Sequence, residues 1–162
     1  MKINIIGNIF GVDGYSNHCR SLANALYDYE KDIRLDVPLI PNWQRTVNDA
    51  ELNMLTKEPR RPDVSIAIMT PPFWRLPLAD NCKKFIGFLI WEGDVCPFYW
   101  LEYLYDKRVD MIFVPSNHTK QAVLNTLERN KDILNKEDIK NIKNKIRIVP
   151  HGYSSNLFFK IK

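Results

Sequence analysis

The stretch INIIGNIFGVDGYSNHCRSLANAL, residues 3 to 26, joins a strand pattern to a helix pattern through a loop that carries glycines. Residues 2–6 form a mostly apolar run that predicts a buried strand, and the run stops at Gly7. From Tyr15 to about Glu30 the apolar side chains recur at i, i+3, i+4 and i+7, which is one face of a helix. These side chains are Cys19, Leu22, Ala23 and Leu26. A strand, a loop and a helix in this order predict the first unit of an α/β fold.

The same unit recurs along the rest of the chain. Apolar runs predict further strands at residues 33–37, 64–69, 83–91, 110–114 and 145–149. Helical patterns or long connections separate them, at residues 47–58, 98–105, 117–130 and 136–144. Strands that are continuously apolar and alternate with helices are typical of a parallel sheet covered on both faces. We therefore predict a Rossmann-like, doubly wound, mostly parallel α/β domain over residues 1–150, followed by the start of a linker at 151–162.

Composition and charge exclude several classes of protein. With 162 residues and 45% hydrophobic residues, the chain can build a core and is not expected to be disordered. The longest apolar run, FIGFLIW at residues 85–91, is too short to span a membrane. Cys19, Cys82 and Cys96 form no CxxC pair, so we expect reduced thiols in a cytoplasmic protein and no metal site.

The net charge of +4 is mild, and no nucleic-acid motif accompanies it, so we expect no nucleic-acid partner. Basic residues cluster in KEPRRP at residues 57–62 and in KNIKNKIR at residues 140–147. We interpret both clusters as solvated faces. They could also favour an anionic membrane surface, which leaves peripheral contact with the inner face of a membrane open.

Ligands of open α/β sheets bind beyond the carboxyl ends of the strands, and this rule selects particular loops here. The loops are residues 7–15, 38–46, 70–76, 91–97, 115–118 and 150–154. They hold much of the unusual chemistry of the chain: Gly7, Gly11, Gly14, Trp43, Trp74, Arg75, Trp91, Glu92, Asp94, His118 and His151. We expect these side chains to gather along one rim of the sheet.

The first of these loops matches neither standard phosphate-binding motif. Its glycines stand at Gly7, Gly11 and Gly14, which is not the spacing G-x-G-x-x-G, and no Gly-Lys-Ser/Thr ends the loop. Gly14 could let backbone N–H groups approach a ligand at the helix start, and we expect Gly14→Val to harm folding and activity because a branched residue resists positive φ. Gly11 and Tyr15 are candidate ligand contacts beside it. A plain strand-to-helix turn is the other interpretation, and both remain open.

The segment LIWEGDVCPFYW places two carboxylates directly after a buried strand. Glu92 and Asp94 could accept hydrogen bonds from sugar hydroxyls or take a proton as general base. Glu92 has no evident structural role, whereas Asp94 could instead cap the helix that begins near Pro97. Trp91 could stack on a sugar face, although a core position is the favoured interpretation.

Three histidines lie near the predicted rim. His118 is in the first turn of a predicted helix that Ser116 caps, where it could contact an anion or pack on the rim. His18, at the start of the first helix, has the same two interpretations. His151 follows Pro150 at the end of the last strand. No Ser-His-Asp or Cys-His arrangement can be argued from the spacing.

The order of the motifs resembles a known family of enzymes. The segments GYSNHCRSLANAL, FVPSNHTKQAVLN and IRIVPHGYSSNLF, in this order, resemble the N-terminal half of GT-B-type retaining glycosyltransferases of group 1, family 4. The segment IWEGDVCPFYW is similar to the W-E-x-D…P…W stretch of one branch of these enzymes.

The resemblance implies a division of labour between two Rossmann-like domains. The N-terminal domain would bind the acceptor, which is a sugar, a lipid or a protein, and a C-terminal domain would bind the nucleotide-sugar donor. Transfer would retain the anomeric configuration and need no metal or other cofactor. Gly14 corresponds to the loop that reaches both the donor diphosphate and the acceptor when the cleft closes. Glu92 and Asp94 correspond to the W-E-x-D acids. His151 and Gly152 correspond to the crossing between domains, where a hinge role and substrate contact are both open.

By this resemblance the 162 residues would correspond only to the acceptor side, without the donor-binding domain. We therefore expect this chain alone to transfer no sugar. Two other classes remain open: an NAD-type or other nucleotide-binding Rossmann domain, and a non-catalytic interaction module. A half-enzyme should expose apolar side chains to its partner domain, and Trp43, Phe73 and Trp74 are the candidates, although each could instead belong to the core.

Overall fold

The computed structural model describes residues 1–38, 45–74 and 76–152. Within these residues six strands form one sheet, and every neighbouring pair is parallel. The strands are β1 (Ile3–Ile6), β2 (Ile33–Asp36), β3 (Val64–Ile68), β4 (Lys84–Phe88), β5 (Met111–Val114) and β6 (Ile146–Ile148). The predicted Rossmann-like, doubly wound α/β class is confirmed.

Helices and short 3-10 turns connect these strands. The helices are α1 (Gly14–Tyr29), α2 (Asp49–Leu55), α3 (Leu101–Tyr105), α4 (Asn117–Arg129) and α5 (Lys136–Lys145). The 3-10 turns are Pro71–Phe73, Leu76–Asn81 and Phe98–Trp100. The helix predicted after Pro97 is therefore a 3-10 turn that leads into a short α-helix. Trp43, Arg75 and residues 153–162 of the predicted linker lie outside the described residues.

The strand order, β2-β1-β3-β4-β5-β6, reverses once. From β1 the chain moves outward to β2 and then returns past β1 to β3, after which each strand is added on the same side. In open α/β sheets the connections leave a crevice at this reversal, at the carboxyl ends of the two strands that flank it. The reversal therefore places the crevice between the loop that follows β1 and the loop that follows β3.

Each face of the sheet carries an apolar cluster. On one face Ile5 packs with Cys19 and Ala23 of α1, which have no exposed surface. On the other face the strand residues pack with Leu104 of α3, Val123 of α4 and the rest of a larger cluster. Because side chains alternate along a strand, adjacent strand residues supply opposite clusters. Both faces are thus buried, as the continuously apolar strands predict.

Trp74 belongs to this larger cluster. Its side chain is fully buried, and its indole Nε1 donates to the Met69 carbonyl at 2.7 Å. A Cβ on Gly87 would lie 2.3 Å from the Trp74 ring, so β4 needs a glycine there for the indole to lie on the sheet. The expectation that Trp74 is exposed to a partner domain is wrong, whereas the neighbouring Phe73 is 52% exposed.

A buried ion pair joins α1 to α2. The Glu51 side chain is inaccessible and accepts hydrogen bonds from the guanidinium of Arg20 at 2.6 and 2.8 Å and from Asn24 at 2.8 Å. Glu51 also completes a capping box with Asn48 at the start of α2. Through the same guanidinium Arg20 donates to the Thr46 carbonyl at 2.9 Å. The network holds the described part of the connection after β2 against α1.

Candidate functional site

A pocket of about 200 Å³ lies at the reversal of strand order. It is bounded by the loop after β1, the first turn of α1, the end of β3 and the turn that follows β3. Its described lining residues are Asn8, Asp13, Tyr15, Ser16, Ile68, Met69, Thr70 and Phe73. The site selected by topology is therefore also a cavity, with polar groups on the β1 side and apolar groups on the β3 side.

Asp13 closes the N-terminus of α1 from within the pocket. Its carboxylate accepts the backbone N–H of Ser16 at 2.9 Å and the Ser16 hydroxyl at 2.6 Å. Partial burial raises the pKa of Asp13, but the hydrogen bonds from Ser16 outweigh that cost and hold its pKa below the ordinary value. Asp13 is therefore ionised at neutral pH, and the first turn of α1 already carries a negative cap.

The glycines of this loop have different requirements from those expected. A Cβ on Gly11 would lie 2.4 Å from Asp13 Oδ2 and 2.5 Å from Ser16 Oγ, so Gly11 makes room for the cap. A Cβ on Gly14 would meet nothing within 4 Å, and the φ of Gly14 is not positive. The expectation that Gly14 needs positive φ is wrong, because it is the first residue of α1 and has helical backbone.

Tyr15 connects the pocket to the end of β4. Its hydroxyl donates to the Ile90 carbonyl and accepts the Ile90 N–H at 3.3 Å. Burial raises the pKa of Tyr15 to about 12, and the negative charge of Glu92 adds to the rise. The phenol is therefore neutral at physiological pH, and Glu92 lies near enough for its charge to raise the pKa of Tyr15.

The backbone of the loop after β4 is held by side chains of α4. His118 Nε2 donates to the Glu92 carbonyl at 2.9 Å, and Thr119 Oγ1 donates to the Trp91 carbonyl at 3.1 Å. Because a carbonyl can only accept, Nε2 of His118 must carry its hydrogen. The sequence leaves His118 open between contact with an anion and packing on the rim, and in the structure its ring anchors this loop.

Two further bonds from α4 complete the anchor. Asn125 donates from its amide to the Asp94 carbonyl at 2.9 Å, and the Cys96 N–H donates to Thr126 Oγ1 at 2.8 Å. The residues of α4 thus bind the backbone of residues 91–96 at four points. Side chains of this loop that are not used in packing are left to project from the rim.

Glu92 and Asp94 are the two acids that this loop presents. Both are exposed, and neither carboxylate has a hydrogen-bond partner among the described residues. The helix-cap interpretation of Asp94 is wrong, because Pro97 precedes the 3-10 turn and no side chain caps it. The sequence places both acids at the carboxyl end of β4, and the fold leaves them free.

Trp91 is used in packing. Its indole Nε1 donates to the Val95 carbonyl at 2.7 Å, and its ring meets the ring of Trp100 edge to face at 5.0 Å. A Cβ on Gly93 would lie 2.9 Å from Nε1, so the turn closes around the indole. Trp91 is partly buried against the larger apolar cluster. This packing agrees with the core interpretation and not with a ring that is free to stack on a sugar.

The last predicted site residue, His151, lies against α1. Its Nδ1 is 2.7 Å from Nδ1 of His18, and the ring of His18 lies edge to face on Phe88 with ring centroids 4.4 Å apart. The structure therefore brings together three groups along the rim: the pocket with Tyr15, the acidic loop with His118, and the histidine pair.

Sequence analysis missed four pocket residues: Asn8, Asp13, Ser16 and Thr70. A signal for the cap was present, since Asp13 followed three residues later by Ser16 is a helix N-cap pattern before an apolar helix face. Asn8 and Thr70 follow β1 and β3 directly, which the rule on strand ends also selects. Asn8 and Thr70 line the same pocket because β1 and β3 are neighbours in the sheet. The pattern of strands and helices along the sequence does not predict that order.

Metal ligands and membrane-spanning helices are two further features to consider in the described residues. Within residues 1–38, 45–74 and 76–152, no three His, Cys, Asp or Glu side chains are grouped as ligands for a metal ion. None of the described helices combines the length and the apolar character that crossing a bilayer requires.

Comparison with known proteins gives no family for this chain. No protein-family model and no curated protein matches it. A crystal structure of a conserved protein from Enterococcus faecalis V583 is similar at 16% identity and a TM-score of 0.34, over 93% of this chain and 92% of that one. Any functional proposal for this chain therefore stands on its own residues.

Proposed function

We propose that this chain is the acceptor-binding domain of a GT-B-type retaining glycosyltransferase that takes its sugar from a nucleotide-sugar donor. One observation carries the proposal. Glu92 and Asp94 present carboxylates without partners among the described residues at the carboxyl end of β4, and Tyr15 joins that loop to the pocket at the reversal of strand order. Carboxylates beside a pocket are suited to accept hydrogen bonds from sugar hydroxyls and to take up the proton of an attacking hydroxyl.

The anchoring of the loop supports this role. Four bonds to α4 hold the backbone of residues 91–96, so the two acids project from a fixed support. A general base must lie within hydrogen-bond reach of its proton, and a fixed backbone reduces the cost of holding it there. An exposed acid with only a solvating role would not require such an anchor.

The motif order supports the same family. VPS precedes α4, and VPHG follows β6, as in the N-terminal half of the enzymes that this sequence resembles. In that family the donor binds a second Rossmann-like domain, and the single sheet described here corresponds to the acceptor side. The proposed transfer therefore needs a second domain, and the 162 residues alone should transfer no sugar.

Glycan-array binding by the purified chain tests the proposal. We expect selective binding to a limited set of saccharides, confirmed by calorimetry, and at least about tenfold weaker binding by the double variant Glu92→Gln with Asp94→Asn. The variant Glu137→Gln with Asp138→Asn, on the first turn of α5, is the matched control and should bind like the wild type. Absence of saccharide binding, or equal binding by both double variants, contradicts the proposal.

A nucleotide-binding domain is the second candidate. The order β2-β1-β3-β4-β5 is that of the flavodoxin-like doubly wound folds, whose switch point between β1 and β3 binds a nucleotide cofactor. Asp13 counts against it, because its carboxylate occupies the helix N-terminus that such a phosphate would need. Titration with NAD and FMN separates the two: micromolar binding of either would favour this candidate over the glycosyltransferase domain.

A further inference from the structure

We propose that the pocket between the ends of β1 and β3 binds an uncharged, hydroxyl-rich ring and excludes phosphate. The inference rests on the proposed function and narrows it, since the part of the acceptor that enters this pocket would be a neutral sugar ring. The family resemblance implies contact of this loop with both the donor diphosphate and the acceptor, and the inference assigns the pocket to the acceptor alone. The case for a neutral ligand comes from the charge, the free polar groups, the apolar wall and the size of the pocket.

The charge of the pocket disfavours an anion. A helix N-terminus ordinarily attracts phosphate through its free N–H groups. At α1 the Asp13 carboxylate takes that place and accepts both the N–H and the hydroxyl of Ser16. No Lys or Arg is among the described residues that line the pocket, and the one full charge among them is the Asp13 carboxylate. A phosphate entering here would meet a fixed carboxylate and would have to displace the cap.

The polar groups that remain are suited to hydroxyls. Asn8 uses its Oδ1 to accept the Phe10 N–H at 2.9 Å, and its Nδ2 amide has no hydrogen-bond partner among the described residues and can donate. The Thr70 hydroxyl has no partner among the described residues and can donate or accept. Asp13 can accept a further bond, since a carboxylate has about four lone-pair sites. One donor, one acceptor and one hydroxyl on facing loops match adjacent hydroxyls of a ring.

The opposite wall is apolar. Ile68, Met69 and Phe73 line it, and the Phe73 ring is 52% exposed beside the opening. An exposed aromatic ring at the edge of a pocket offers a flat apolar face to the C–H groups of a sugar, while the hydroxyls reach Asn8 and Thr70. A purely polar ion would gain nothing from this wall.

The volume sets the size of the occupant. Pockets for drug-sized ligands and cofactors measure about 300–1,000 Å³. The pocket here is smaller, at about 200 Å³. A single ring fits this volume, whereas a dinucleotide would extend well outside it.

Nuclear magnetic resonance titration of the 162-residue chain tests the inference. The probes are neutral methyl glycosides, inorganic phosphate and pyrophosphate. We expect at least one methyl glycoside to shift the Asn8 side-chain amide and the Thr70 backbone amide with saturation, while both phosphates leave these signals unchanged. Equal or larger shifts with either phosphate, or no shift of these two residues with any glycoside, would overturn the inference.

Matched variants locate the effect. Phe73→Ala should weaken glycoside binding about fivefold, whereas Phe98→Ala, a 48% exposed aromatic that does not line the pocket, should leave it unchanged. Thr70→Val, which keeps the side-chain shape, should also weaken binding. Equal effects of Phe73→Ala and Phe98→Ala would place the ligand elsewhere and contradict the inference.

Asp13→Asn tests the source of the exclusion. Asparagine is also a good N-cap, so α1 should remain intact while the negative charge is removed. We expect phosphate to shift the Asn8 and Thr70 signals of Asp13→Asn but not those of the wild type. If phosphate leaves the signals of Asp13→Asn unchanged, the inference is contradicted. Glycan-array binding without shifts at Asn8 and Thr70 would leave the acceptor function standing and remove this pocket assignment. Glycoside shifts at Asn8 and Thr70 without selective binding on the array would keep the pocket assignment and remove the acceptor function.

Discussion

His18 and His151 lie 133 residues apart in sequence, and their Nδ1 atoms are 2.7 Å apart. Such a contact requires that one Nδ1 carries a hydrogen and the other does not. Burial, together with the smaller effect of the neighbouring His151, lowers the pKa of His18 to about 4. Burial also lowers the pKa of His151. Both rings are therefore neutral at physiological pH, and the pair fastens the chain beyond β6 to α1.

This pair predicts a stability loss in mild acid. The unfolded chain protonates His18 near pH 6.5, whereas the folded chain does so near pH 4, so unfolding takes up a proton between these values. The free energy of unfolding should be full above pH 6.5 and fall as the pH drops to about 4. We expect a loss of about 1–2 kcal/mol from His18, because solvent screens part of the shift at a half-buried ring.

Denaturant unfolding at several pH values measures the slope of the free energy of unfolding against pH. His18→Gln should remove most of it between pH 6.5 and 4, since glutamine does not titrate. His118→Gln removes an exposed imidazole and should keep the wild-type slope. A slope unchanged by His18→Gln contradicts the assignment.

Glu92→Gln should leave folding intact and reduce function. The exposed carboxylate has no partner within the part of the chain that the structure describes, so the free energy of unfolding should change by less than about 0.5 kcal/mol. Turnover of the proposed enzyme, assayed with its donor domain present, should fall about 100-fold or more if Glu92 takes the acceptor proton. Glu58→Gln, another exposed acid, is the control for a general charge effect. A wild-type rate for Glu92→Gln would rule out a catalytic role for Glu92.

Gly87→Ala should destabilise the fold. The new Cβ would lie 2.3 Å from the buried Trp74 ring, and overpacking of this kind costs about 1–3 kcal/mol. Gly14→Ala is the matched control, because its Cβ meets nothing within 4 Å and alanine stabilises a helix by about 0.5–1 kcal/mol relative to glycine. In equilibrium unfolding followed by tryptophan fluorescence, Gly87→Ala should be less stable than the wild type and Gly14→Ala more stable. Equal stability of the two would contradict the close packing of Trp74 on β4.

Glu51→Ala should be more harmful than the loss of an exposed ion pair. It leaves the Arg20 guanidinium without its buried partner, and breaking a buried pair costs about 3–5 kcal/mol. Glu128→Ala removes the exposed pair with Lys131 and should cost less than about 1 kcal/mol. Calorimetric melting of both variants measures the difference. Similar melting temperatures would show that the Glu51 network contributes little.

The helix and strand pattern could be predicted because it depends on local periodicity. The apolar run of residues 83–91 predicts a strand, and β4 occupies Lys84–Phe88 within it. Ser116 was expected to cap a helix, and its side chain accepts the Thr119 N–H at the start of α4. The rule on strand ends also selected the loops that line the pocket and carry the acids.

Other features required the strand order. Trp74 was a candidate for an exposed surface, yet the indole is buried because Gly87 on the neighbouring strand leaves room for it. Gly14 was expected to have a special backbone, yet the close approaches in this loop are at Gly7 and Gly11. These outcomes depend on which atoms lie opposite each residue, and no local pattern carries that information.

By itself the sequence determined the class of the fold and the segments that meet at the rim, because apolar periodicity and turn residues act over a few positions. Only the tertiary structure decided how those segments are used. It turned His118 toward the Glu92 carbonyl and paired His18 with His151. The physical reason is that each of these contacts joins groups whose distance and burial are set by the packing of the whole sheet.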